Sequence, residues 1–244
     1  MMREASTLVD LFGVFDWAAL VFLILSIYGL QWIIEHPPRR YPSTHKLMRR
    51  YRMEWMQEMA AREVRIFDAQ VLSTLRQGAT FFASTSLIAI GGGAAIFGQA
   101  EQVETVAREL DPALSAPLVV WELKILVVIG LLGLAFLKFV WSIRLFGYCA
   151  VIMAAIPNDG STRRARAMAR HAGQINIFAD RSFTRALRTV YFALASLAWF
   201  FGPLAMVTAT LATNAIIWRR EFASETRSML LEDAAPPRPS EGSH

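Results

Sequence analysis

The sequence predicts an all-α integral membrane protein with four transmembrane helices and long amphipathic cytoplasmic helical extensions. Three observations lead there. Long apolar stretches occupy 14–34, 78–98, 117–140 and 189–218, the arginines fall in alternate connections, and 55% of the 244 residues are hydrophobic against 18% charged. About 20 helical residues cross a hydrocarbon core of about 30 Å, and a helix satisfies its own backbone polar groups there. Mean hydropathy is +0.36, on the apolar side for a soluble domain. Residues 1–233 are read as one membrane domain, with 36–77 and 157–188 as its cytoplasmic helical connections. The Pro-rich 234–244 is read as a disordered tail.

The first stretch is preceded by Asp10, contains Asp16 and is followed by basic residues, the reverse of a cleaved signal peptide. Pro37 and Pro38 stop its helix. The next connection carries Arg39, Arg40, Lys46, Arg49, Arg50, Arg52, Arg62, Arg65 and Arg76, and the third carries Arg163, Arg164, Arg166, Arg170, Arg181, Arg185 and Arg188. Between them, 99–116 has Arg108 against Glu101, Glu104, Glu109 and Asp111. The positive-inside bias puts the first and third connections in the cytoplasm of an inner (plasma) membrane, so four spans leave both termini outside. Arg219 and Arg220, after the last stretch, run against that placement.

The net charge of +5 is explained by arginines meeting anionic lipid headgroups, and the bilayer is the expected partner. No stacking aromatics interleave a soluble basic surface, so nucleic acid is not expected. Cofactors are not expected either. Cys149 is the single cysteine, without a zinc partner set, and reads as a small buried residue near a helix end. The histidines (His36, His45, His171 and His244) lie in loops or the tail, outside the positions that a membrane haem needs.

From 43 to 75 there is neither proline nor glycine, and Met48, Tyr51, Trp55, Met59, Ile66 and Leu72 recur at helical spacing. The segment is expected to run upright and without a break into the second span, packing against its counterparts. Residues 162–188 read as helical, with Gly173 as a break.

In the second span Gln77, Thr80, Ser84, Gly91 and Ala95 fall close to one face, with Phe81, Phe82 and Leu87 elsewhere. Such a small, hydroxyl-bearing stripe serves either close helix packing or a water-facing pathway built from several copies. Phe82 is expected to face lipid. Arg65, Asp68 and Arg76 would form the cytoplasmic mouth of such a pathway. In the third span Glu122 and Lys124 are intramembrane charges that need partners or a cavity, and they do not share a face. Lys138 and Arg144 are expected to snorkel toward the cytoplasm. Pro203 is read as a kink in the fourth span, and Asn214 as a polar contact between helices.

Arg62-Glu63-Val64-Arg65-Ile66-Phe67-Asp68-Ala69-Gln70, Phe81-Phe82-Ala83-Ser84-Thr85-Ser86, Glu122-Leu123-Lys124, Phe139-Val140-Trp141-Ser142-Ile143-Arg144, Leu187-Arg188-Thr189-Val190-Tyr191-Phe192-Ala193-Leu194-Ala195 and Trp199-Phe200-Phe201-Gly202-Pro203 follow one another in order. This ordered set resembles the domain-of-unknown-function family numbered 599, found in bacteria and plants, over nearly the whole chain except the tail. The resemblance implies a four-span membrane protein and no particular activity.

The function expected first is a homo-oligomeric channel or transport protein with the second span lining the pathway. The alternative is a membrane scaffold, assembly factor or accessory subunit working through its cytoplasmic helices. An intramembrane enzyme using Glu122, Lys124 or Asp180 ranks last, because acid–base chemistry needs converging groups and no spacing here requires that.

Overall fold

A computed structural model describes residues 12–38, 41–99, 101, 102, 105 and 117–233. Those residues are helical and loop, with no strand among them. The helices are α1 (Val14–Glu35), α2 (Thr44–Ala61), α3 (Ile66–Phe97), α4 (Leu118–Ala155), α5 (Arg163–Leu197), a 3₁₀ turn (Ala198–Phe201), α6 (Pro203–Phe222) and α7 (Glu225–Asp233). Arg39, Arg40, Arg108, Glu104, Glu109, Asp111 and the tail 234–244 lie outside the described residues.

Among the described residues three helices, α1, α3 and α4, are long and apolar enough to cross a membrane. The expected fourth span is not one helix. It is the end of α5 and all of α6, joined by a 3₁₀ turn and Gly202 at φ 103°. Positive φ suits glycine, which lacks a Cβ, and Pro203 opens α6 at a position whose N–H would have no helical partner. The chain therefore doubles back where the sequence suggested a kink. Trp199 meets Asp16 near the start of α1, while Glu221 at the end of α6 meets Arg188 in mid-α5. The start of α1 and the end of α6 thus lie at opposite ends of the bundle. Arg219 and Arg220 therefore lie at the same end of the bundle as the arginines of α2 and lower α5, not at the end where α1 starts.

α4 has 38 residues and α3 has 32, about 57 Å and 48 Å at ~1.5 Å per residue. Both overrun a hydrocarbon core, and their lower ends pack with α2 and lower α5 in a second helical layer. Met56, Met59, Leu72, Phe146, Cys149 and Met153 fill that layer against alanines of α5. The seam closes tightly at Gly173: a Cβ there would lie 2.7 Å from Met53 Sδ. Gly173 is thus a close crossing point in an unbroken helix, not a break.

The continuous helix expected from 43 into the second span is also absent. α2 descends beside α5, ends at Ala61, and the chain reverses into α3 at Ile66. No local breaker does this. Arg65 donates to the carbonyls of Ala60 (3.1 Å), Ile156 (2.8 Å) and Pro157 (2.8 Å), gathering the ends of α2 and α4 around one guanidinium. Ser43 fixes the other end of α2, accepting from the Lys46 N–H and donating to the Ile34 carbonyl.

The upper core joins α1, α6, upper α5 and the start of α4 through Leu23, Ile34, Val120, Phe192, Met206 and Ile217. Between the layers, Ala83, Ala135, Phe139 and Ala186 pack with Phe82 and Phe183. Phe82 stacks on Phe139 at 5.7 Å, so it faces the bundle and not its surroundings. Asn214 donates to Ser26 Oγ at 2.9 Å, the interhelical contact expected of it.

Candidate functional site

Where the two layers meet, the arginines of α5 find carboxylates. Arg181 and Arg185 both donate to Glu35, the last residue of α1. Arg188 donates to Glu221 Oε1 at 2.7 Å, and the His45 backbone N–H reaches Glu221 Oε2 at 3.3 Å. Arg52 of α2 grips Asn176 Oδ1 (2.6 Å) and Asp180 Oδ1 (2.7 Å), with His45 Nδ1 3.5 Å from Asp180. This belt ties α1, α2, α5 and α6 at one level. Burial pushes the His45 imidazole below its ordinary value, outweighing the neighbouring carboxylates.

Glu35, Asp180 and Glu221 were not singled out as one site from the sequence. The signal was partial: Glu35 and Glu221 lie just past apolar stretches, near Arg39 and Arg40 and beside Arg219 and Arg220, whereas Asp180 sits beside Arg181 within the basic connection. What brings them together is the α5–α6 reversal and the descent of α2, which are tertiary.

The proposed mouth divides. Asp68 is fully buried and accepts from Trp55 Nε1 and Arg62 Nη1, both at 2.7 Å, while its other oxygen has no partner among the described residues. Together with Arg65 it is a clasp at the α2–α3 turn. Arg76 is exposed, and its side chain has no hydrogen bond or ion pair among the described residues. Arg65 and Arg76 border a groove of about 430 Å³ between α3 and α4, floored by Leu72, Phe146 and Met153.

Gln77, Thr80, Ser84, Gly91 and Ala95 are all exposed, on the side of α3 turned away from α4. Ala79, Ala83 and Ser86 make the buried face instead. Thr80 donates back to the Arg76 carbonyl at 3.0 Å, so its hydroxyl proton is satisfied without a neighbour.

Lys124 is buried, with Nζ 5.1 Å from the Trp121 ring centre and 5.7 Å from that of Trp199. Asp16 holds Trp199 Nε1 at 2.7 Å beside it. Glu122 is half-buried and has no ion pair or hydrogen bond among the described residues. Lys138 does not simply snorkel: it donates to Thr189 Oγ1 at 2.9 Å. Arg144 is exposed. Among the described residues no three His, Cys, Asp or Glu side chains come together as a metal-holding group.

Neither a curated protein nor a solved structure matches this chain. One family model, described as "Protein of unknown function, DUF599", matches residues 18–226, so the chain belongs to that family.

Proposed function

We propose that this is a polytopic inner-membrane protein whose copies associate along α3 to form a channel or transport pathway. The observation that carries the reading is the uncovered stripe of Gln77, Thr80, Ser84, Gly91 and Ala95 on a helix that packs chiefly against α4 alone. Small residues allow close backbone approach between copies, and the hydroxyl and amide groups retain acceptor capacity for water or solute.

A scaffold working through its cytoplasmic helices would present the Met/Trp face of α2 to its partners. That face is committed internally, with Met56 and Met59 buried and Trp55 bonded to Asp68. In the membrane, α1 enters from outside and the arginine-rich layer lies in the cytoplasm. The upper α5 and α6 make a return pair, carrying Arg219 and Arg220 back to the cytoplasmic side.

Cysteine cross-linking in native membranes tests the assembly. Ser84→Cys is expected to give disulfide-linked copies, and Leu137→Cys, on the exposed side of α4, is not. Liposomes containing the protein should then pass small ions or solutes that empty liposomes retain, with Ser84→Leu reducing the flux. A monomer in bilayer nanodiscs, with liposomes as tight as controls, would overturn the reading.

A further inference from the structure

The groove between α3 and α4 has a composition that the pathway reading does not use. Its walls are low because Ala69 and Ser73 on α3, and Ala150 and Ala154 on α4, repeat small side chains one turn apart. Leu72, Phe146 and Met153 supply an apolar floor between them. The volume of about 430 Å³ lies in the range of small-molecule sites, about 300–1,000 Å³.

Two guanidiniums border this groove, and no carboxylate lines it. Arg65 is bonded only to carbonyl oxygens, so its charge is not neutralised there. Arg76 stands two residues below Gly78, where the apolar stretch of α3 begins, and has no side-chain partner among the described residues. An apolar trough of this volume with a cation at its upper edge complements one chemistry: an alkyl chain ending in an anion.

We propose that this groove binds a single-chain anionic amphiphile, a long-chain carboxylate, with its head on Arg76 and its chain along Leu72, Phe146 and Met153. The carboxylate gains a charge-assisted, bidentate partner at the level of the headgroups. The chain covers the apolar floor of the groove and takes that surface out of water.

The test uses the full-length protein in phosphatidylcholine nanodiscs and a 16-carbon fatty acid carrying a chain diazirine. Photolabel is expected on peptides covering 66–76 and 146–158 and should be competed by unlabelled palmitate. Arg76→Gln should weaken labelling about tenfold, the scale of losing one charge-assisted bond. Arg144→Gln, an exposed arginine outside the groove lining, should leave it unchanged. Ala150→Leu with Ala154→Leu should fill the trough and abolish labelling, the fold being checked by its melting.

Equal labelling by the corresponding fatty alcohol would overturn the proposal, as would indifference to Arg76→Gln. Preferential labelling by a diazirine phosphatidylglycerol would overturn the single-chain assignment. Disulfide-linked copies through Ala150→Cys would make the groove a protein contact, and overturn it too.

Discussion

Arg188 and Glu221 face each other at 2.7 Å with side chains 7% and 11% exposed, joining the middle of α5 to the end of α6. This pair closes the base of the hairpin that Gly202 opens at its tip. The charges cannot be hydrated there as they would be in water, so each depends on the other and on the His45 N–H.

Removing one partner leaves a buried charge without compensation, which typically costs about 3–5 kcal/mol. Arg188→Ala or Glu221→Ala is therefore expected to lower the melting temperature sharply and to loosen α6. The double change Arg188→Met with Glu221→Leu should recover most of the loss, because no charge remains buried. Thermal melts of the four proteins measure this. Losses that simply add would show that the two residues do not act as a pair.

His45 gives the belt a pH dependence of definite sign. Burial holds its folded-state value below the ordinary 6.5, so the unfolded chain binds the proton more readily. The stability contributed by neutral His45 is fully present above pH 6.5 and is lost as pH falls below it. His45→Gln should flatten the melting curve between pH 7 and pH 5, and a wild-type melting temperature that rises on acidification over that window would contradict the assignment.

The sequence made the apolar helices plain because their signal is local: length, hydropathy and arginine asymmetry. The turn between α2 and α3 was not readable that way. Arg65 stops α2 by taking carbonyls from Ala60, Ile156 and Pro157, and two of those three are about 90 residues distant in sequence. The reversal at Gly202-Pro203 was half-readable. Pro203 marks an interruption of the apolar run, but a glycine just before a helix-opening proline is a stop-and-start signal and not a kink. The stripe on α3 was legible as a face by its periodicity, though not which way it would turn. That was decided by Ala79, Ala83 and Ser86, equally small residues that fit α4.

Lys124 sits among aromatic faces rather than in a tight carboxylate pair. Cation–π contacts contribute about 0.5–2 kcal/mol, so Lys124→Met, which keeps the apolar stem, is expected to cost no more than that. Asp16→Ala should be the worse change, since it strips Trp199 Nε1 of its acceptor. Denaturant melts of both variants in one detergent check the order. A Lys124→Met loss exceeding that of Asp16→Ala would mean that Lys124 holds a stronger partner than the two rings.

The last expectation concerns the hairpin tip. Gly202 has φ 103° and a Cβ there would meet nothing within 4 Å, so space is not the constraint. Backbone conformation is. An L side chain at φ 103°, ψ 167° lies in a region almost confined to glycine and costs on the order of 1–3 kcal/mol, and Gly202→Ala should lower stability by about that amount. D-Alanine, introduced by semisynthesis, adopts positive φ without penalty and should restore it. The two stereoisomers have the same volume and polarity, so a difference between them isolates the backbone. An L-alanine variant as stable as the parent would mean that the chain can pass from α5 to α6 with negative φ, and the Arg188–Glu221 pair would then close a hinge that needs no glycine.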